Sequence, residues 1–294
     1  MTDIIAPPSV RALAREKGIN LEELARDLGR TNIVRDDLDN ARPTAANGPA
    51  TDTSLWDVDH SRHGKVSEEP MSRFAQVAAA NLAAAQTHIP AVTHHERADI
   101  SAVEAWRREL KPEAQARGVK LTALAFHVVA LSRCLQEFPR FNASLSADGK
   151  TLVFKEYVHI GIAVDTAHGL MVPVIRNADT KGLWQIGTEI ADLASRAQNR
   201  KISADEMGGA SMTITNLGGI GGIGFTPIVN PPEVAILGLT RPENVPVWSG
   251  DAFLPVPMVS IDLSYDHRVI NGADAARFSA RYSALLSDPR RMIV

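Results

Sequence analysis

The chain has 294 residues, of which 45% are hydrophobic and 22% charged, and a formal net charge of −3. That length and balance suit one large globular domain, or a large one with a small companion. The total charge gives no support to nucleic-acid or anionic-membrane binding, and the single cysteine, Cys134, excludes an intrachain disulfide and fits a reducing cytoplasm.

The N-terminal stretch "MTDIIAPPSV" has no basic region ahead of an apolar one and does not read as a signal peptide. "APPSVRALAREKGI" places Val10, Leu13 and Ala14 on one helical face, with Gly18 expected to end the helix. "NLEELARDL", with Asn20 as candidate N-cap, and "VRDDLDNA" complete a small helical unit. From residue 42 to 54 Pro, Ala, Thr, Asn and Gly replace any apolar period, as in a flexible linker.

A larger domain follows. "MSRFAQVAAANLAAAQTHI" predicts a helix stopped by Pro90, and "AVTHHERADI" predicts a strand. "SAVEAWRREL" predicts a helix capped by Ser101, with Glu104 at the capping-box position. "TALAFHVVALSRCLQEF" is almost wholly apolar, so its helix should be buried, with Cys134 a core residue rather than a reactive thiol. "GIAVDTAHGLMVPVI" predicts two extended segments around a turn, and "LWQIGTEIADLASRAQ" an amphipathic helix. "ASMTITNLG", "EVAILGL" and "MVSIDLSYD" predict buried strands, and "GADAARFSARYSALLSD" a closing helix. No strict βαβ repeat governs the order, so the expectation is α/β packing on a mixed sheet.

Three features carry chemistry. His267, in "SYDHRVINGADAARF", stands where a strand gives way to a helix, a junction that places side chains rigidly. An imidazole there can take a proton from a thiol or hydroxyl and return it, and Asp266, Arg268 or Asn271 could fix its ring. A histidine that is merely structural is the competing reading. "TNLGGIGGIGF" reads as a nucleotide-cradling loop or as turns supporting a pocket. The P-loop Lys-Ser/Thr is missing and no helix follows. Thr213 and Thr215 share one strand face, either as structural hydroxyls or as donors to a developing oxyanion. No metal site is suggested, because the adjacent His94 and His95 point to opposite strand faces.

"DHRVING", "TITNLGGIGGIGFTPIVNPPEVAILG" and "IGIAVDTAHGLMVPVI", with "FNASL" and "IPAVTHHERADIS", resemble the catalytic domain of dihydrolipoamide acyltransferases, the core subunits of 2-oxo acid dehydrogenase complexes. The likeness runs from about Val66 to Val294 and leans toward the pyruvate-type acetyltransferases. "PPSVRALAREKGINLEEL" resembles the family's peripheral-subunit-binding domain. The resemblance implies a peripheral-subunit-binding-like all-α domain over 4–41, a flexible linker over 42–64, and a chloramphenicol-acetyltransferase-like catalytic domain over 65–294. It implies a homotrimer with sites between subunits, built further into a cubic or dodecahedral core, with the apolar ending "DPRRMIV" acting between trimers.

The implied reaction moves an acetyl group between a dihydrolipoyl group and coenzyme A, with His267 as general base and Thr215 stabilising the oxyanion. Branched-chain or succinyl transfer is the runner-up, and a catalytically idle scaffold is the alternative of another class. Chloramphenicol acetylation fits poorly with an N-terminal subunit-binding unit. Three departures from the family stand out. Asn271 replaces a frequent Asp, keeping a hydrogen-bond acceptor without the charge. Around "ARDLGRTNIVRDDL" only Gly29 remains of a glycine-rich loop, and Asn32 takes the place of an arginine. A basic face of Arg11, Arg15, Lys17, Arg30 and Arg35 could still meet a 2-oxo acid decarboxylase or dihydrolipoamide dehydrogenase. No lipoyl domain is found, so the lipoyl group is expected from another domain or chain.

Overall fold

The computed structural model describes residues 4, 6–16, 19, 21–40 and 58–292. Its internal contacts divide the chain into two units, Met1–Glu69 and Pro70–Val294. In the first, helices α1 (Pro8–Glu16), α2 (Leu21–Asp27) and α3 (Arg35–Asn40) enclose a small cluster of Val10, Ala14, Ile19, Ile33 and Leu38. So small a core leans on polar ties. Asp37 accepts the Val34 amide at 2.8 Å and the Arg30 guanidinium at 2.5 Å. Arg11 donates to the carbonyls of Ile4 and Ala6 at 2.6 and 3.1 Å. Two residues of the expected basic face therefore hold their own chain, while Arg35 stays exposed. The side chain of Arg15 and residues Lys17, Gly18 and Asn20 lie outside the described residues. So does the expected linker as far as residue 57. Its last part contains a 3₁₀ turn, His60–His63, where Asp59 accepts the Ser61 amide.

In the second unit Ser72 caps α4 (Arg73–His88) by accepting the Ala75 amide, and β1 (Ala91–Asp99) follows Pro90. Then α5 (Ser101–Glu109) departs from expectation. Ser101 is its first residue rather than its cap, and Asp99 takes the Ser101 amide at 2.8 Å. Glu104 pairs with Arg107 instead of closing a capping box. Next come α6 (Lys111–Ala116), α7 (Ala123–Glu137) and a small hairpin of β2 (Ala143–Leu145) and β3 (Leu152–Phe154). β4 (Ile160–Thr166), β5 (Gly169–Met171) and β6 (Val174–Ile175) lead to α8 (Leu183–Gln198). β7 (Met212–Asn216), β8 (Ala235–Leu239), β9 (Glu243–Trp248), β10 (Phe253–Asp266) and α9 (Gly272–Ser287) complete the order.

The main sheet runs β1-β10-β8-β7-β4-β5, with β6 beside β4 and β9 beside β10. β4, β7 and β8 are parallel and the other pairings antiparallel, so the sheet is mixed, as expected. Period-two alternation separates its faces. One face carries Ile214, Leu237, Ile261 and Leu263, which share a core with Phe126 of α7, Ile186 of α8 and Phe278 of α9. Phe278 stacks on Phe141 with centroids 4.2 Å apart. Cys134 is buried in this core, and burial pushes its thiol pKa up, away from reactivity.

The opposite face is polar. Gly161, Thr213, Ile236, Ser264 and Thr93 form one cross-strand row. Ala163, Thr215, Gly238, Asp262 and His95 form the next. Ala85 and Ile89, at the end of α4, pack with Val229 and Ile236 on this side. The chain closes in a 3₁₀ turn, Pro289–Met292, whose Met292 is buried on its own subunit, with its carbonyl accepting from Arg133 at 3.0 Å. Of the expected intersubunit ending, the last two residues lie outside the described ones.

Candidate active site

β10 delivers His267 just past its end, and the His267 amide donates to the carbonyl of Pro90 at 3.1 Å. The imidazole is exposed, with the Tyr265 ring beside it at 5.8 Å between centroids. The expected orienting partners are engaged elsewhere. Asp266 is buried and takes the Arg268 guanidinium through both carboxylate oxygens, at 3.0 and 2.7 Å. Asn271 is the N-cap of α9, its Oδ1 accepting the Asp274 amide at 2.8 Å. The turn forces this division. It ends a strand and opens a helix within five residues, and its polar side chains satisfy the backbone first. The capping role suits Asn and Asp equally well. The Asn271 Nδ2 donor has no hydrogen-bond partner among the described residues.

Thr215 lies near the end of β7, half-buried, and its hydroxyl has no partner among the described residues. A free donor at a strand end is what a developing oxyanion requires. Thr213 is different. It is buried and donates to Glu233 Oε1 at 2.9 Å, so it is committed. Burial raises the Glu233 carboxyl to about 7, against the Thr213 hydrogen bond and nearby Lys155.

Within one chain the structure keeps Thr215 and His267 apart. Thr215 is level with Asp262 through Gly238, two strands away. Four strand residues to Asp266 span ~13 Å and two strand spacings add ~4.8 Å each, a separation of ~16 Å. No proton or hydrogen bond passes directly between groups so placed.

Asn216, the next residue along β7, faces the other way. There a cavity of about 380 Å³ opens between β7, β8 and the start of α7, lined by Thr122, His127, Asn216, Gly218, Thr240 and Val259 among others. The Thr122 and Thr240 hydroxyls are buried without partners. His127 Nδ1 meets the Tyr282 hydroxyl at 2.7 Å, and burial lowers its pKa to about 4, so the ring is neutral at physiological pH. Lys120 and Arg241 stand exposed in the adjoining sequence. The glycine run beyond Asn216 begins with Asn216 Oδ1 accepting the Gly218 amide at 2.8 Å and continues as turns, not as a phosphate cradle opening a helix.

Sequence reasoning missed one arrangement on the polar face. His95 Nδ1 meets Asp262 Oδ1 at 2.6 Å, and Asp262 Oδ2 accepts the Phe225 amide at 3.1 Å. Alternation in "SIDLSYD" puts Asp262 on one face with Ser264 and Asp266, but pattern alone gives no partner 167 residues away. Among the described residues no group of three or more His, Cys, Asp or Glu could hold a metal, and no helix is long and apolar enough to cross a membrane.

The sequence profile of the 2-oxoacid dehydrogenases acyltransferase (catalytic domain) family matches residues 63–294. The acetyltransferase component of the Pseudomonas aeruginosa pyruvate dehydrogenase complex is 48% identical, covering 98% of this chain and 55% of that protein. The chain thus spans about half the length of the curated relatives it matches. Azotobacter vinelandii dihydrolipoamide acetyltransferase, studied for the role of a serine, a histidine and an asparagine in its mechanism, superposes with a TM-score of 0.79 at 50% identity. That match covers 81% of this chain and 98% of the other. The cubic core of a pyruvate dehydrogenase multienzyme complex also superposes at 0.79, with 51% identity and the same coverage. The mixed sheet, the residues at its strand ends and these likenesses agree: the chain belongs to the 2-oxoacid dehydrogenase acyltransferase family.

Proposed function

We propose that this chain transfers an acetyl group between a dihydrolipoyl group and coenzyme A, with His267 as general base and Thr215 as oxyanion donor. One observation carries the assignment. In the Azotobacter enzyme the serine studied stands 52 residues before the histidine, and the asparagine four after it. Thr215, His267 and Asn271 repeat both spacings. A Ser-to-Thr change keeps the hydroxyl, and the asparagine matches Asn271 outright.

The two groups are ~16 Å apart on one chain, so the site is completed by a second copy. His267 of one subunit faces Thr215 of the next, in a homotrimer that assembles into a cubic core. His267 takes the proton of the attacking thiol, whose usual pKa near ~8.5 leaves little thiolate at neutral pH. The sulfur bonds to the thioester carbonyl carbon, and the Thr215 hydroxyl donates to the resulting oxyanion. Collapse breaks the original carbon–sulfur bond, and the departing sulfur recovers the proton from His267. Coenzyme A is placed with part of its length in the cavity behind Asn216. The orphaned Thr122 and Thr240 hydroxyls offer it donors there, and Lys120 and Arg241 are near enough in sequence to meet its phosphates.

The dihydrolipoyl group comes from another domain or chain. Residues 4–41 act as a peripheral-subunit-binding domain for the decarboxylase or dihydrolipoamide dehydrogenase, residues 42–64 as the linker, and 65–294 as the catalytic domain, in the cytoplasm. An assay with free dihydrolipoamide and acetyl-coenzyme A tests the reading. Steady formation of S-acetyldihydrolipoamide is expected. No turnover by assembled protein would leave the scaffold reading in its place, and faster branched-chain or succinyl transfer would change the acyl group assigned.

A further inference from the structure

The transfer chemistry leaves one side-chain pair on the polar face unused. Asp262 is 1% exposed and both its oxygens are taken, Oδ1 by His95 Nδ1 at 2.6 Å and Oδ2 by the Phe225 amide at 3.1 Å. A carboxylate only accepts, so Nδ1 carries the ring hydrogen and the imidazole is fixed in orientation. A hydrophobic pair would join β1 to β10 without burying a carboxylate, so a strand tie alone does not account for it. The ring itself is not buried. The His95 side chain is 59% exposed, and its Nε2 has no hydrogen-bond partner among the described residues. His95 also stands level with Thr215 across four neighbouring strands, Thr215, Gly238, Asp262 and His95 in order, a span of ~14 Å at ~4.8 Å per strand. Between the two polar groups the Phe225 ring covers Gly238, 2.7 Å from where a Cβ would stand.

We propose that His95, held by Asp262, binds the carboxamide of the dihydrolipoyl arm, its Nε2 accepting the amide N–H while the arm's thioester lies at Thr215. The inference rests on the acyl-transfer reading and deepens it by naming what recognises the far end of one substrate. The length of the arm fits the row. With the Thr215 hydroxyl donating to the oxyanion, the thioester sulfur lies ~4 Å from that hydroxyl. Eight bonds lead from the sulfur to the amide carbon, and an extended chain advances ~1.2 Å per bond, so the amide lies ~10 Å further on. The two lengths together match the ~14 Å from Thr215 to His95. The chemistry fits as well. The arm is polar at its thiol and amide ends and has four methylenes between them, and the row offers a hydroxyl, an aromatic surface and an imidazole in that order. Coenzyme A is assigned to the cavity behind Asn216, on the other side of the sheet, which leaves this row to the other substrate. His95 touches the substrate in this account, and Asp262 is a positioning residue that sets which ring nitrogen faces it.

The test uses the full chain with acetyl-coenzyme A and two acceptors, dihydrolipoamide and octane-1,3-dithiol, which has the same dithiol chain with a methyl group in place of the carboxamide. The quantity read is the ratio of kcat/KM for the two acceptors. His95→Ala should lower the preference for dihydrolipoamide by ~5-fold, the worth of one hydrogen bond. His95→Gln keeps an acceptor near the Nε2 position and should lose no more than ~2-fold. Asp262→Asn leaves one acceptor for two donors, His95 and the Phe225 amide, and should lower the ratio by ~2–3-fold by loosening the ring. Both reactions need the same folded, assembled protein, so a pair that merely ties β1 to β10 leaves the ratio where it was. If His95→Ala does not assemble, His95→Leu is read in its place, with the same fall expected. An unchanged ratio in an active His95→Ala or His95→Leu variant overturns the inference. An unchanged ratio in Asp262→Asn removes Asp262 from it. A wild type that acetylates neither dithiol fails the acyl-transfer reading itself and the inference with it, a result distinct from an unchanged ratio.

Discussion

On one face of the central sheet Ile214, Leu237, Ile261 and Leu263 lie against α7, α8 and α9, all but excluded from water. One residue along each strand, on the other face, stand Thr215, Gly238, Asp262 and Ser264. The same strands thus hold the fold together on one side and carry the proposed chemistry on the other. A side-chain period of two makes the separation possible, and it also locks the register, because a one-residue slip would exchange the two sets. Substitutions on the two faces should therefore give opposite signatures. The apolar face should change stability with little effect on the chemistry per folded molecule, and the polar face and its rim should do the reverse.

His267→Ala carries the largest expected effect, a fall in kcat of ~10²–10⁴-fold, the usual contribution of a general base. Because the side chain is exposed, the thermal midpoint should hardly move. Phe278→Ala should show the inverse. Removing a fully buried ring stacked on Phe141 should cost ~3–5 kcal/mol in urea unfolding, with kcat per folded molecule nearly intact. Thr215→Ala should lower kcat by ~10²–10³-fold without comparable change in the KM for coenzyme A, since the donor acts on charge that develops only in the transition state. A stability loss larger than the catalytic loss in this variant would break the division between faces.

A pH-dependent effect sharpens the comparison at Glu233, which Thr213 holds on the polar side. Its folded pKa is raised by burial from 4.5 to about 7, so folding favours the protonated form. The stabilisation is complete below pH 4.5 and is lost as pH rises from there through about 7, with a slope of about 1.4 kcal/mol per pH unit. Glu233→Gln keeps an acceptor for Thr213 and should flatten that decline in a series of urea midpoints across pH 4–8. A variant with the wild-type slope would assign the dependence to another group.

Much of this is visible in the sequence. The long apolar helix of α7, the buried strands β7, β8 and β10 and the closing helix α9 follow directly from their periodicity. β9 does not, because Pro246, Pro255 and Pro257 argue against a ladder. They are tolerated because β9 pairs only with β10, with Pro246 placed opposite Pro255. Ser101 has the pattern of a cap but not the role, because Asp99, two residues earlier, takes its amide. Of the site, Thr215, His267 and Asn271 are legible as residue types. The capping of α9 by Asn271 and the commitment of Asp266 to Arg268 depend on the geometry of one turn, which spacing does not encode. Asp262 joins three segments far apart in the chain: strand register brings His95 to it, and the irregular path between β7 and β8 brings the Phe225 amide.

The central claim is that each site combines His267 of one subunit with Thr215 of another. Mixing His267→Ala and Thr215→Ala chains in equal amounts, with denaturation and joint refolding, tests it most directly. Each variant alone should be nearly inactive. In randomly mixed assemblies about a quarter of the sites should pair an intact His267 with an intact Thr215 across an interface, restoring about a quarter of wild-type turnover. Mixed assemblies that form but stay as inactive as their parents would place both residues in a single-chain site and contradict the account.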